Sequence, residues 1–152
     1  MDAVETMDRL ARDAEEGGIS PASRADAAAR MEKEEAVALA AARLAEEIGA
    51  AAIITCTQSG STTRLVSRFR PAILLLALTP EENTLRRLAL VWGAVPLLME
   101  AADDVEAMER QALRTVLEAG LVRPGDPVVI TAGLPLNVPG TTNTVKVAVA
   151  DR

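Results

Sequence analysis

Histidine is absent from this chain of 152 residues, lysine occurs only at Lys33 and Lys146, and Cys56 is the single cysteine. Each shortage removes some chemistry. Without an imidazole, a thiolate nucleophile at Cys56 would lack its usual basic partner. A Cys-x5-Arg phosphatase loop also fails on spacing, because seven residues separate Cys56 from Arg64. Cys56 reads instead as a small core residue at a strand end. One cysteine rules out an internal disulfide and fits a reducing compartment. No basic run offsets the formal charge of −6, so neither nucleic acid nor membrane is an expected partner. The longest apolar run, Ala72 to Leu78, is far short of a bilayer span. The opening lacks the basic start and apolar core of a signal peptide, which makes a cytoplasmic location the expectation.

What remains is ample for one domain. Hydrophobic residues make up 49% of the chain, enough for a sizeable core without staples. A short amphipathic helix is predicted from Asp2 to Glu16, closed by Gly17-Gly18, with a linker from Ile19 to Ala25. A long helix is predicted from Asp26 to Ile48, its apolar stripe being Val37, Ala41, Leu44 and Ile48, with Gly49 as its stop. Strands follow at Ala51 to Cys56, Ile73 to Ala77, Val95 to Met99, Val128 to Thr131 and Thr144 to Val149. Helices fall between them at Ser61 to Phe69, Glu81 to Leu90 and Asp103 to Ala119. Such alternation implies an α/β domain of three layers, with a five-stranded, mostly parallel sheet flanked by helices. The last strand alternates, with Val145, Val147 and Val149 on one face and Lys146 on the other, as an antiparallel edge strand would.

The most telling stretch is Ala50 to Pro71. Ala51-Ala52-Ile53-Ile54 is too apolar to alternate and reads as a strand covered on both faces. Thr57, Ser59, Ser61 and Thr62 then surround Gly60 where the chain turns into a helix. A helix start presents free N–H groups and partial positive charge, hydroxyls can wrap a phosphate oxygen, and glycine allows close approach. A phosphate cradle and an ordinary N-cap both fit, since Ser and Thr are favoured at caps. A Walker A loop does not fit, because Gly60 is followed by Ser61 rather than lysine.

The same stretch resembles the C-terminal domain of pyruvate kinases. The resemblance is carried by Thr57-Gln58-Ser59-Gly60-Ser61-Thr62, by Arg64 to Pro71, by Leu-x-x-x-Trp-Gly-x-x-Pro at Leu88 to Pro96, and by Gly140-Thr141-Thr142-Asn143-Thr144. With the opening Asp2 to Arg9, it covers nearly the whole chain. It implies that residues 1–18 are the last helix of a catalytic barrel, 19–25 a linker, and 26–152 an effector-binding and oligomerisation domain. Carried over by position, Thr57, Ser59, Gly60, Ser61 and Thr62 would hold the phosphate of an allosteric effector. The loop around Pro139, Gly140 and Thr141 would close over its sugar.

One departure bears on which effector. Relatives activated by fructose 1,6-bisphosphate commonly hold its second phosphate with a Trp before the fourth helix and an Arg within it. Here that segment is Glu100-Ala101-Ala102-Asp103-Asp104, followed by Val105-Glu106-Ala107-Met108, and the first arginine is Arg110. The acids Glu100, Asp103, Asp104 and Glu106 would repel a second phosphate if they faced the pocket. AMP or a sugar monophosphate is therefore the expected effector class. Acids at that place equally suit a helix N-terminus facing water.

The resemblance further implies a parent enzyme that transfers a phosphoryl group from phosphoenolpyruvate to ADP with Mg and K ions. Those groups belong to the barrel, and no catalytic constellation or metal site is visible here, so this chain alone is expected not to turn over substrate. Its expected partners are the barrel and further copies of itself in a homo-oligomer. A stand-alone phosphometabolite-binding module and a purely structural pairing domain stay open as alternatives. Glu32, Glu34 and Glu35 read as a solvated helix face. Trp92 reads as packing or an interface anchor, and Arg64 and Arg68 could assist phosphate if helix phase aims them there.

Overall fold

The computed structural model describes residues 3–16, 31–136, 138 and 140–151. The expected linker Ile19 to Ala25, the Gly17-Gly18 stop and residues 26–30 lie outside them, as does Pro139. The elements, in order, are α1 (Ala3–Glu16), α2 (Lys33–Glu47), β1 (Ala52–Cys56), α3 (Ser61–Arg68), β2 (Leu74–Thr79), α4 (Glu82–Leu88), β3 (Ala94–Leu98), α5 (Val105–Glu118), β4 (Pro127–Gly133) and β5 (Thr142–Val149).

The sheet has the order β3-β2-β1-β4-β5. Its first four strands run parallel, and β5 returns antiparallel to β4, giving the mixed sheet expected of this pattern. Period-two alternation sends successive side chains of the central strands to opposite layers. Ile53, Leu75 and Val129 pack with Val66 of α3 and the alanines of α2. Ile54, Leu76 and Ile130 pack with Met108, Ala112 and Val116 of α5. Every residue of β1 is buried, which explains why its sequence lacks a polar alternate.

Helix α2 differs from the sequence reading in start and in face. Glu32 is extended at φ −63° and ψ 151°, so the helix starts at Lys33 rather than Asp26, with Glu34 and Glu35 in its first turn. Its buried residues are Ala38, Ala41, Ala42 and Ala45, whereas Ile48 is the exposed C-cap. An alanine face lets the helix axis lie close to the sheet; the expected stripe shares Ala41 with it, and Leu44 packs beside it. Gly49, at φ 62°, closes the helix in a Schellman motif: its N–H donates to Glu46 O at 3.2 Å, and Ala50 N–H to Ala45 O at 2.8 Å. Glu35 is not simply solvated, since it pairs with Arg68 of α3 at 3.0 Å.

The two sheet edges are unlike. Met99 N–H donates to Thr79 O at 3.0 Å, so by alternation the backbone nitrogens of Ala94, Pro96 and Leu98 face away from β2. Ala94 N–H is bonded to Val91 O, and Pro96 has no N–H to offer. The β3 edge is thereby blunted. Along β5, Val147 and Val149 are 46% and 49% exposed.

From β1 the chain steps through β2 to β3 in one direction, and α5 then carries it back across the sheet to β4 on the other side of β1. Strand order therefore reverses between β1 and β4. The connections leaving their carboxyl ends diverge and open a cleft there.

Candidate functional site

The loop after β1 is held from several sides. Thr57 N–H continues the ladder onto Leu78 O at 2.9 Å. The Thr57 hydroxyl turns inward and accepts the N–H of Gly60 at 2.9 Å. Thr84 of α4 donates to Gln58 O at 2.7 Å, and the Arg64 guanidinium donates to Ser59 O at 3.2 Å. Gly60 takes φ 79°, and a Cβ there would meet Leu88 Cδ2 and Arg64 Nη1 at 3.0 Å. Glycine is thus favoured by its left-handed conformation, and a Cβ would also press on these side-chain ends.

Gly60 is also the N-cap of α3, so the cap position has no side chain to offer, and no acid lies in the first turn. The first turn of α3, where N–H groups lack intrahelical partners and the dipole is positive, contributes Ser61 and Thr62 to the cleft lining. Ser59 and Ser61 stand beside them with their hydroxyl oxygens 3.1 Å apart. Thr62 turns inward, its hydroxyl 2.6 Å from that of Thr142.

The loop after β4 forms the facing wall. A register shift between Ala132 and Gly133 redirects the chain out of the ladder, and the Leu134–Pro135 peptide is cis. The base of this loop is fastened by Asn143, whose Oδ1 accepts Leu134 N–H at 2.9 Å and whose Nδ2 donates to Leu134 O at 2.6 Å. The returning strand passes so near that a Cβ on Gly133 would lie 2.5 Å from Thr141 Oγ1.

Between these loops lies an open cleft whose enclosed space is about 60 Å³. Thr57, Ser59, Ser61 and Thr62 line one side, and Gly140 and Thr141 the other. Gly60 is buried beneath the loop instead of lining the cleft. Of the candidate acids, Glu100 lines it, while Asp104 is occupied as the N-cap of α5, accepting Ala107 N–H at 2.7 Å. Neither arginine of α3 is on the wall: Arg64 folds over Ser59 O and Arg68 is tied to Glu35. The sequence reading missed Thr84, Gly133 and Asn143, whose roles depend on partners many residues away.

Cys56 closes the cleft floor with Met99 and Met108. Burial, reinforced by the Glu109 carboxylate, pushes its thiol up to about 12. It therefore stays protonated at neutral pH, as a core residue would. Trp92 lies under the Arg70 guanidinium, 4.3 Å from ring centroid to Cζ, and its carbonyl accepts the Ser67 hydroxyl at 2.7 Å. Among the described residues, no three His, Cys, Asp or Glu side chains gather as a metal site, and no helix is long and apolar enough to cross a membrane.

A strand–hydroxyl loop–helix facing a second loop across a switch point is an architecture shared by many proteins. Comparison of sequences decides which. The family model for the pyruvate kinase alpha/beta domain matches residues 35–148. The chain belongs to this family. It is 37% identical to the pyruvate kinase of Clostridium acetobutylicum over 153 aligned positions, which cover 99% of this chain and 32% of that one. Pyruvate kinases of Staphylococcus epidermidis and Staphylococcus aureus are 39% and 38% identical over 112 positions, covering 74% of this chain and 19% of theirs. This pyruvate kinase alpha/beta domain thus spans about a third of the length of its clostridial relative.

Proposed function

We propose that this chain is a regulatory domain of a pyruvate kinase, binding a phosphorylated effector between the loops after β1 and β4 and pairing with another copy. The observation that carries the reading is the start of α3. Its N-cap is a glycine with no capping side chain, no acid lies in its first turn, and Ser59 and Ser61 flank it on the wall of an open cleft. An anion of phosphate size answers both the dipole and the hydroxyls. AMP or a sugar monophosphate is the preferred class over fructose 1,6-bisphosphate, because Glu100 lines the cleft and the aligned segment supplies neither Trp nor Arg.

Pairing is supported by β5, an edge strand without proline that exposes Val147 and Val149. A contact with a catalytic barrel is supported by α1, whose stripe Val4, Met7 and Leu10 is largely exposed. Transfer of phosphate from phosphoenolpyruvate to ADP, with its Mg and K ions, is assigned to that barrel and not to this chain. The location that goes with this role is the cytoplasm.

Calorimetric titration with AMP, ribose 5-phosphate and glucose 6-phosphate tests the reading. Saturable binding that Ser59→Ala weakens at least about tenfold, the loss of one charge-assisted hydrogen bond, is the expected result. A folded chain that binds no phosphorylated compound would leave only the structural pairing role.

A further inference from the structure

We infer that the outer face of α5 carries a second binding site, for a small organic anion with an apolar body and a hydrogen-bond donor. The site is a groove with about 1020 Å³ of open space, and no described residue lines both it and the cleft. Met108, Ala112 and Val116 turn one side of α5 to the sheet. Ala107, Arg110, Arg114 and Leu117, spaced by three and four, fall on the other side and line the groove.

The walls are already in place. Leu113 and Leu117 are half-buried against the core, and Pro124 and Asp151 close the groove near the start of β4 and the end of β5. That end is braced by backbone: Gly125 N–H donates to Ala150 O at 2.8 Å, and Ala150 N–H to Asp126 O at 2.9 Å. An apolar lining, a few polar groups and a volume near that of sites for drug-sized molecules suit a small ligand better than a flat protein contact.

Two features set the chemistry of the ligand. Arg110 lies 3.8 Å from Glu106 and Arg114 4.0 Å from Glu118, and all four side chains are largely exposed. Pairs so long and so well hydrated hold a guanidinium weakly, and its donors can turn to an anion in the groove. Glu118 and Asp151 stand toward the far end, which directs the anionic head to the arginines and leaves the apolar body over Leu117 and Pro124. Gln111, also on the wall, keeps its amide oxygen buried with no hydrogen-bond partner, the one such side-chain atom among the described residues. Turning that amide into the groove lets a ligand N–H or O–H satisfy it.

The probe is 8-anilinonaphthalene-1-sulfonate, which joins an anion, an apolar body and an N–H; N-phenyl-1-naphthylamine is the same without the sulfonate. Fluorescence titration of the whole chain should show saturable binding that favours the sulfonate about tenfold or more. Arg110→Gln combined with Arg114→Gln should erase that preference and leave the neutral dye unchanged. Gln111→Leu should weaken both dyes about threefold or more, and Ala107→Trp, which fills the groove, at least about tenfold. Both arginines are exposed, so the sulfonate preference alone decides the matter if Ala107→Trp fails to fold. Absence of saturable binding, a preference that survives loss of both arginines, or indifference to a folded Ala107→Trp would overturn the site. Unchanged affinities in Gln111→Leu would overturn the need for a donor. Displacement of the dye by AMP, or its loss in Ser59→Ala, would seat it in the cleft and overturn the groove. Dye bound only to monomer in sedimentation would make a second copy the occupant and overturn the small ligand.

Discussion

The hydroxyls of Thr62 and Thr142 lie 2.6 Å apart in the interior, at 4% and 1% residue exposure, although 80 residues separate them in the chain. One stands in the first turn of α3 and the other begins β5. The helix start that faces the cleft and the strand that forms the sheet edge are therefore fastened to each other by a single shared hydrogen bond.

Thr62→Val should remove one partner of that bond while keeping shape, leaving the Thr142 hydroxyl buried and unpaired. The expected cost is about 1–3 kcal/mol in urea denaturation. Adding Thr142→Val should recover much of it, because neither hydroxyl is then stranded. Losses that simply add would show that the two side chains do not act as a pair.

Gly133→Ala addresses the foot of the second loop. Its Cβ would lie 2.5–2.8 Å from three atoms of Thr141, two of them backbone. Backbone cannot swing aside as a side chain end can, so a loss of about 1–3 kcal/mol is expected, with the loop displaced. Gly140→Ala is the comparison, since a Cβ there meets nothing within 4 Å. Its effect should reflect only the left-handed φ of 81°, about 1 kcal/mol. Equal costs for the two variants would contradict the close approach.

The pH dependence of stability should carry the mark of Cys56. Its folded thiol is raised from 9.0 to about 12, so the unfolded chain ionises first as pH rises. Stability from this group is complete below pH 9 and falls between about 9 and 12, at no more than about 1.4 kcal/mol per pH unit. Urea midpoints compared between wild type and Cys56→Ala over that range should show a steeper decline in wild type. Parallel declines would mean that the thiol ionises normally in the folded protein.

Val147→Lys should weaken self-association while leaving the monomer folded, because Val147 is an exposed residue on the outer strand and not a core contact. Sedimentation velocity over a concentration series reads the shift toward monomer. An unchanged distribution would place the pairing surface elsewhere on the domain.

Local signals account for what the sequence revealed. Runs such as Ala51 to Cys56 and Ile73 to Ala77 announce buried strands, glycines at 49 and 120 mark helix ends, and the alternation of β5 marks an edge. The family motifs pointed to the cleft residues in the loops after β1 and β4. Side-chain phase was much less legible. Only Ala41 of the expected α2 stripe belongs to its buried alanine face, and helix phase, which the sequence left open for Arg68, sets that side chain against Glu35. Thr62–Thr142, Thr84–Gln58 and Asn143–Leu134 are contacts between distant segments, and composition at either end carries no trace of the partner. Of the four acids singled out after β3, the path of the chain brings Glu100 to the cleft wall and leaves Asp103, Asp104 and Glu106 off it.

Pro96 would limit any assembly through the sheet edges. A sheet that can be extended on both sides can add copies without end, as fibres do, whereas a sheet with one receptive side is sealed once that side is taken. Here Pro96 and the engaged N–H of Ala94 deny the β3 side a regular ladder. Growth through β5 would consume the receptive side of both partners and finish as a symmetric pair. Crowding more copies together would fill pairs and stop, a ceiling written into the backbone by one imino acid.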